Sequence, residues 1–523
     1  MPEHKIINQL DELINIGIAI SAEKNPVKLL QDIVEGAIKI TGADGGTLYL
    51  VKDNEMSMEI VQSKSLGISL GGISGNSVDM PPIPLFIADG SKNNSNVVSC
   101  SYHKNAPINI INAYTDETFD FSGTKKFDQL NNYRSQSFLA VPMKNHEGDT
   151  IGVLQLINAI DKPSGVIIAF DEISQRFTET LASFAATVLT KQYLIDDLEG
   201  MFESLIQLIA TAIDDKSPYT GGHCRRVPAL TLLLAEAAHN SKNSYLKSFT
   251  MTDKDRYELK IAGWLHDCGK ITTPEYVVDK STKLETIFDR IELIETRFEV
   301  LKRDAEIAML KQINTSPDNK EMIEKTYQDR ISQLDNDFDF IKKANTGGEF
   351  MDKSDQDRIL AMCGQRWTLS NLNVPVLSKN EADNLTIVKG TLTSEERGII
   401  NHHINATISM LDKINFPKHL KNVPEYAGGH HERMDGKGYP KGLKREQMSV
   451  QARVMAIADI FEALTAKDRP YKEGKKLSEA IAILTKMKEG NHVDPDLFDA
   501  FIKEKVYLKY ANEFLDKNQI DMA

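Results

Sequence analysis

The feature of this sequence that most constrains its fold is the stretch of residues 173–213, which contains no proline and a single glycine, Gly200. Proline breaks the hydrogen-bond ladder of a helix and glycine weakens it, so this stretch is expected to form one long helix. The chain has 523 residues, a length that favours about three domains over one. Residues 173–213 are therefore predicted to form a signalling helix that connects two different domains.

The part of the chain before this helix mixes helical and strand patterns. Residues 1–24 are predicted to form an N-terminal helix, and Pro26–Thr41 is predicted to form another. Strand-like alternation follows at residues 46–51, 138–143 and 151–157. This mixture predicts an α+β domain of the sensor type over residues 25–192. Within it, residues 71–112 are rich in Gly, Asn, Ser and Pro, and they either line a ligand pocket or form an ordinary surface loop.

The part after the helix, residues 201–523, shows amphipathic helical patterns separated by turn clusters and is predicted to be all-α. An insertion is predicted at residues 284–390. Apolar residues recur there at intervals of three and four in two stripes: Ile287, Ile291, Ile294, Phe298 and Leu301, then Tyr327, Ile331, Leu334, Phe338 and Ile341. Two such stripes predict an antiparallel helical hairpin that serves packing or a dimer contact rather than chemistry.

The composition argues against several classes of protein. The chain carries 62 Lys and Arg against 75 Asp and Glu, a net charge of -13, which argues against DNA binding by charge. No apolar run approaches the roughly 18 residues that a membrane-spanning helix needs. The four cysteines are scattered rather than paired, which is typical of a reducing compartment, so a cytoplasmic location is expected.

Several residues occur in contexts typical of metal ligands. They are His223, His266, Asp267, His403, His430, His431 and Asp459. An adjacent pair of such residues, taken alone, is most often exposed on a surface. Asp459, however, lies inside the apolar stretch of residues 454–461, where a carboxylate needs a charged partner. A divalent cation is such a partner, and imidazole and carboxylate ligands suit it, so the set predicts a metal site.

Five motifs resemble the signature of the HD-GYP family, a branch of the HD-domain phosphohydrolases, and they occur in the order of that family. They are Pro-Tyr-Thr-Gly-Gly-His at residues 218–223, Leu-His-Asp-Cys-Gly-Lys at 265–270, His-His-Glu-Arg-Met-Asp-Gly-Lys-Gly-Tyr-Pro at 430–440, Ala-Asp-Ile-Phe-Glu-Ala-Leu-Thr at 458–465 and Arg-Pro-Tyr at 469–471. The first half resembles a GAF domain through Ile-Gly-Val-Leu-Gln-Leu-Ile-Asn at residues 151–158. The resemblance implies a GAF sensor domain followed by an HD-type helical catalytic domain over residues 201–523.

The HD-GYP resemblance implies a phosphodiesterase that opens cyclic di-GMP to linear pGpG, with a further step to GMP left open. It assigns the seven candidate ligands to the metals and gives catalytic roles to Asp267 and Lys270. The residues that it assigns to the substrate are Lys270, Tyr439, Arg469 and Lys472. His402 competes with His403 for one ligand position, which goes to His403 because Thr407 then falls at the spacing of the family.

The metal content and the function follow from the same resemblance. Some family members bind a third metal through a glutamate four residues before the first histidine, where this chain has Tyr219, so a dinuclear site is expected. Iron or manganese suits nitrogen and oxygen ligands without thiolate. The alternatives are a phosphodiesterase for another cyclic or linear dinucleotide, such as cyclic GMP-AMP, and a non-catalytic cyclic di-GMP receptor or scaffold.

Two partners are also expected. The long helix and the heptad stripes favour a homodimer. The Gly-Lys-Gly loop at residues 436–438 either cradles a phosphate with its backbone amides, or is a tight turn or a docking surface. The docking alternative has a diguanylate cyclase bind at the Gly-Tyr-Pro loop of residues 438–440. The ligand of the GAF-like domain is not identified by the sequence. Lys-Lys-Phe-Asp at residues 125–128 faintly resembles a cyclic-nucleotide signature of some GAF domains, but two solvated lysines before an ordinary phenylalanine are the simpler interpretation.

Overall fold

The structure of the protein is a computed structural model, which describes residues 2–23, 25–216, 222–243, 245–348, 350–370, 372–467 and 474–522. The chain divides into two compact units, a first unit of Met1–Met201 and a second unit of Phe202–Ala523. Within the described residues, none of the helices combines the length and the apolar character that crossing a bilayer requires.

The first unit is built on an antiparallel sheet. Its strands are β1 (Ala43–Lys52), β2 (Glu55–Ser63), β3 (Ile68–Gly71), β4 (Ile83–Pro84), β5 (Ile108–Ile110), β6 (Phe138–Lys144), β7 (Thr150–Ile160) and β8 (Ile167–Ile168). The strand order is β3-β2-β1-β7-β6-β5, while β4 pairs with β2 and β8 pairs with β7. In the centre of the sheet, Leu48 of β1 lies opposite Leu154 of β7.

Five helices begin in the first unit. They are α1 (Pro2–Ala22), α2 (Pro26–Thr41), α3 (Val97–Lys104), α4 (Ser122–Asn131) and α5 (Glu172–Lys216). The Asn25 side chain accepts hydrogen bonds from the first backbone N–H groups of α2, and Gly42 ends this helix in the left-handed conformation at φ 70. The region of residues 71–112, in which the sequence shows only loop character, contains β4, α3 and β5, because elements this short carry too little periodicity to be recognised.

The sheet of the first unit is buried on both faces. One face carries Leu48, Leu50, Leu139, Leu154 and Leu156, which pack in one core with apolar residues of α2 and α5. The other face carries Tyr49, Phe138, Ala140 and Val153, which pack with Val97 and Val98 of α3. The alternation follows from the period of two along each strand.

The second unit is helical. Its helices are α6 (His223–His239), α7 (Asp253–Leu265), α8 (Glu275–Val278), α9 (Ile291–Thr315), α10 (Lys320–Asn345), α11 (Lys353–Met362), α12 (Lys379–Leu385), α13 (Ser394–Asn401), α14 (His403–Leu411), α15 (Val423–Gly428), α16 (Val450–Thr465), α17 (Leu477–Glu489), α18 (Pro495–Lys503) and α19 (Val506–Phe514). Among the described residues of this unit, the all-α expectation has one exception, a two-stranded ribbon of β9 (Arg366–Leu369) and β10 (Leu372–Pro375).

The ribbon and the pair α9 and α10 fall within the predicted insertion. A short 3₁₀ turn, Pro317–Asn319, joins these two helices, and their rings of Phe298 and Phe338 lie 5.7 Å apart between centroids. Ile294 and Leu334 are fully buried between the helices. Ile287, which the heptad pattern places in the first stripe, precedes α9 and is 96% exposed.

The helices that hold the candidate site share one core. Helix α6 packs against α7 and α16, while α14 packs against α15 and the 3₁₀ turn Cys268–Thr272. Leu230, Leu234, Leu259, Val454 and Phe461 are buried where these helices meet. The ends of α6, α7, α14 and α15 therefore converge on the middle of α16.

Candidate metal centre

The structure brings the seven candidate ligands together at helix ends. His223 is the first residue of α6, His266 and Asp267 directly follow α7, His403 is the first residue of α14, His430 and His431 follow α15, and Asp459 lies in α16. His266 is fully buried, and Asp267 is 1% exposed. His402, the competing residue, is exposed to solvent next to the buried His403.

The first group of ligand atoms comes from His223, His266 and Asp267. The Nε2 atom of His223 lies 3.2 Å from Nε2 of His266 and 3.2 Å from Oδ2 of Asp267, and Nε2 of His266 lies 3.3 Å from that oxygen. Asp459 Oδ1 lies 3.3 Å from Nε2 of His223. Ligand atoms at roughly 2.1 Å from one cation stand about 3.0 to 3.4 Å apart, so these separations fit a metal site.

The second group consists of His403, His430 and His431, whose candidate ligand atoms all lie within 4.8 Å of one another. The Nε2 atoms of His403 and His430 are buried and have no hydrogen-bond partner in the described part of the chain. A buried imidazole nitrogen without a partner costs free energy, which a cation at this position would offset.

Asp267 lies between the two groups. Its Oδ2 belongs to the first group, whereas its Oδ1 lies 3.3 Å from Nε2 of His403 and makes no hydrogen bond to a described residue. Because a carboxylate has two oxygens, it can bind two cations at once, which an imidazole cannot. The neighbouring cationic groups hold the pKa of Asp267 well below its usual range, although burial alone would raise it.

The orientation of three histidines is set by their own backbone. Nδ1 of His266 donates to the carbonyl oxygen of Gly263 at 2.7 Å, and Nδ1 of His430 donates to that of Ala427 at 2.6 Å. Nδ1 of His403 donates in the same way to the carbonyl oxygen of Ile400, three residues earlier in the chain. A carbonyl only accepts, so Nδ1 carries a proton, and Nε2 is the nitrogen that can bind a metal once any proton on it has left.

His223 is oriented by Glu462, which the sequence analysis did not single out. Glu462 is 1% exposed, and its Oε2 lies 2.5 Å from Nδ1 of His223. Its other oxygen accepts a hydrogen bond from Nε of Arg226 at 2.7 Å. The sequence could have indicated Glu462 through its spacing, because it lies three residues after Asp459 on α16 and therefore on the same face of that helix.

A glycine lets the turn after α7 approach α14. A Cβ atom on Gly269 would lie 2.0 Å from the backbone oxygen of His403, so no other residue fits there. The N–H of Gly269 donates to Oγ1 of Thr407 at 2.9 Å. This close approach holds Asp267 and His403 at the distance described above.

Lys270 contacts the site through Asp267. Its Nζ lies 2.5 Å from Oδ2 of Asp267. Burial lowers the pKa of Lys270, but the carboxylates of Asp267 and Asp459 outweigh burial and raise it above the usual range. Lys270 therefore carries a fixed positive charge at neutral pH and is a poor proton donor.

A cavity of about 430 Å³ opens beside the ligand cluster. His430, His431, Tyr439 and Asp459 line it, and three basic residues that the sequence analysis did not single out line it as well: Arg433, Lys437 and Lys475. The ring of Tyr439 stacks on His431 at 4.8 Å between centroids. Burial raises the pKa of Tyr439 to about 12, so its hydroxyl stays protonated. Arg469, Lys472 and Tyr219 lie outside the described residues.

The two groups of histidines differ in charge when no cation is bound. Burial lowers the pKa of His266, but Asp267 and Asp459 outweigh burial and raise it to about 9. Burial lowers the pKa of His431 to about 4, and it lowers that of His430 as well. The first group therefore holds protons that a metal must displace, and the second group presents neutral imidazoles.

This difference predicts a pH dependence. The pKa of His266 rises from 6.5 in the unfolded chain to about 9 in the fold, so its stabilisation is present below pH 6.5 and is lost as pH rises through about 9. Thermal melts with EDTA are expected to show a lower melting temperature at about pH 9.5 than at pH 6.5. Manganese should raise the melting temperature more at the higher pH, because fewer protons must leave.

The control for this prediction is the His266→Asn variant, which keeps the other titrating groups of the chain. Its melting temperature should depend less on pH than that of the parent protein. A larger manganese effect at pH 6.5 than at about pH 9.5 would contradict the proton-displacement explanation.

Two family models match the chain. Residues 25–189 match the GAF domain, and residues 360–497 match the HD domain. The HD match contains four candidate ligands, His403, His430, His431 and Asp459, whereas His223, His266 and Asp267 lie before it. The chain therefore contains a GAF domain followed by an HD domain, which confirms the two domain classes that the motifs predict.

Curated relatives include cyclic dinucleotide phosphodiesterases. A probable cyclic di-GMP phosphodiesterase of Vibrio cholerae is 38% identical over 146 residues, 26% of this chain and 32% of that protein. A cyclic di-GMP phosphodiesterase of Pseudomonas aeruginosa is 43% identical over 115 residues, 22% of this chain and 26% of that protein. The 3′3′-cGAMP-specific phosphodiesterase 3 of Vibrio cholerae is 36% identical over 116 residues, 22% of this chain and 24% of that protein. The matches thus span about a third or less of each relative.

Proposed function

We propose that the second unit is a metal-dependent phosphodiesterase that hydrolyses cyclic di-GMP to linear pGpG, under the control of the GAF domain. The observation that carries this proposal is the position of Asp267, whose two oxygens face two groups of histidines. A carboxylate shared by two imidazole groups suits a dinuclear hydrolase. The names of two relatives support cyclic di-GMP as the substrate.

The proposed ligands are His223, His266 and Asp459 for one cation, His403, His430 and His431 for the other, and Asp267 for both. When bound, two divalent cations supply Lewis acidity toward a phosphate and lower the pKa of a water nucleophile. No cysteine belongs to this set, so iron or manganese suits it better than a structural zinc.

The remaining residues bind and orient the substrate. Lys270 provides a fixed positive charge beside Asp267, which stabilises the negative charge that develops on a phosphate. Arg433, Lys437 and Lys475 place positive charge around the cavity, so the local field attracts an anionic dinucleotide despite the net charge of -13. We assign Tyr439 to substrate binding through its protonated hydroxyl, and its ring holds His431 in place.

A second cyclic dinucleotide is also a candidate substrate. One relative is named for cyclic GMP-AMP, and its identity to this chain is close to that of the cyclic di-GMP enzymes. Both substrates carry two phosphodiesters, and they differ in one base.

The test measures metal content and turnover on the same sample. The full chain, purified without oxygen, is analysed for bound metals and incubated with cyclic di-GMP and with 3′3′-cGAMP, and the products are separated into pGpG and GMP. About two metals per chain and faster turnover of cyclic di-GMP are expected. Faster turnover of 3′3′-cGAMP would transfer the proposal to that substrate, and metal-loaded protein without turnover of either would contradict the enzyme.

We further propose that the protein forms a homodimer through helix α5. Helix α5 presents Leu194, Leu198, Met201, Leu205 and Leu208 to solvent, each more than half exposed, at intervals of four and three residues. This spacing favours a coiled coil between two copies of the chain.

We also propose a cytoplasmic location, and docking of a diguanylate cyclase to the Gly-Tyr-Pro loop at residues 438–440.

A further inference from the structure

The first unit contains a cavity of about 360 Å³ that the proposed chemistry does not use. It lies on the Tyr49 face of the sheet, and strands β1, β2, β6 and β7, together with the starts of α3 and α4, supply its lining. Its volume is at the lower end of the range typical of small-molecule sites.

Gln155 is one of several polar residues that line this cavity. It lies on β7 between Val153 and Ile157, which face the same side of the sheet, and it is 8% exposed. Its Oε1 accepts a hydrogen bond from the Tyr49 hydroxyl at 3.1 Å. Its amide Nε2 donates to no residue in the described part of the chain.

The Nε2 atom is not among the fully buried atoms without a partner, so it opens onto the cavity that Gln155 lines. A bound acceptor there would replace the water that otherwise hydrates this N–H group. Gln155 therefore provides a specific hydrogen-bond donor toward whatever occupies the cavity.

The charge of the lining disfavours a phosphate. Among the described residues that line the cavity there is no lysine, arginine or histidine, and the single charged side chain is Asp120. At the start of α3, Asn96 accepts from the N–H of Val98 at 2.9 Å and caps the helix. The N-cap residue of α4, Phe121, makes no side-chain cap, but Asp120 just before it accepts from the N–H of Ser122 at 2.9 Å. The negative charge of Asp120 opposes an anion at this terminus.

The motif Lys-Lys-Phe-Asp at residues 125–128 does not change this conclusion. Phe127 lines the cavity, but the two lysines do not. Asp128 is 2% exposed and accepts hydrogen bonds from the hydroxyl of Tyr114 and from Ser135. The motif thus serves the fold of this unit, and its lysines provide no phosphate contact.

We propose that this cavity binds an uncharged, largely apolar or aromatic small molecule, whose carbonyl or equivalent acceptor takes a hydrogen bond from Nε2 of Gln155. The walls that such a molecule would contact include Phe121, Phe138 and Met58. An anionic nucleotide would lose its hydration there without gaining a cationic partner.

The first test uses benzophenone, a neutral aromatic ketone that cross-links to nearby C–H bonds under ultraviolet light. The full chain is irradiated with it, and the labelled peptides are mapped by mass spectrometry. Labelling is expected at Met58 and Met80, which line the cavity, and an excess of the neutral ketone fluorenone should suppress it. Suppression by an equal excess of cyclic GMP, or labelling elsewhere only, would overturn the proposal.

The second test measures the hydrogen bond. Gln155→Leu removes the donor with little change in size, and the affinity for benzophenone is expected to fall by roughly fivefold or more. The matched control is Gln192→Leu on α5, where the amide bonds Asp196 away from the cavity, and its affinity should not change. An unchanged affinity in a folded Gln155→Leu protein would overturn the role of this residue. If that variant does not fold, the map of labelled peptides from the first test shows whether the ligand binds in this cavity.

Discussion

Replacing Asp267 with asparagine is expected to remove bound metal and hydrolysis together. The variant keeps the shape of the side chain but loses the charge and one of the two oxygens that face the histidine groups. We expect turnover to fall by more than about 100-fold, because mutation of a residue that only orients a metal ligand lowers activity by at most about that factor. Metal content by mass spectrometry and product formation by chromatography are measured on the same preparation.

A control separates this effect from a general loss of stability. Asp412→Asn changes an exposed carboxylate that follows α14 in the same unit, and it should leave both measurements unchanged. Because Lys270 loses its partner in the Asp267→Asn variant, thermal melts in EDTA show whether the fold persists. A folded variant that keeps both metals and its activity would exclude the shared-carboxylate site.

Replacing Glu462 with glutamine is expected to weaken metal binding by about 10- to 100-fold. Glu462 does not belong to the ligand set, but its carboxylate fixes the ring of His223 and also pairs with Arg226. A neutral amide removes the negative charge that Arg226 contacts at this position and orients His223 less firmly. The affinity is measured by competition with a fluorescent chelator, and activity should return at high metal concentration.

That recovery distinguishes a positioning residue from a ligand. The matched control is Glu504→Gln, an exposed glutamate that follows α18, and its metal affinity should equal that of the parent protein. An unchanged affinity in Glu462→Gln would mean that His223 needs no orienting carboxylate.

The sequence was most informative where patterns are long. Helix α2 has the predicted bounds of Pro26–Thr41, and the prediction of residues 173–213 differs from α5, Glu172–Lys216, only at its ends. Short elements such as α3 and the ribbon of β9 and β10 escaped recognition, because a few residues do not establish a period. Ile287 shows the opposite error. The heptad pattern includes it in a helical stripe, but α9 begins only at Ile291, because such a pattern does not reveal where a helix begins.

The sequence by itself determined the residue types of the candidate site, because imidazoles and carboxylates combined in several ordered motifs are typical of metal ligands. Only the tertiary structure decided how they combine. It placed Asp267 between two histidine groups, brought Glu462 to His223, and left the amide of Gln155 facing a cavity without cations. These contacts join residues far apart in the chain, and packing between helices and strands sets such distances, whereas local periodicity does not encode them.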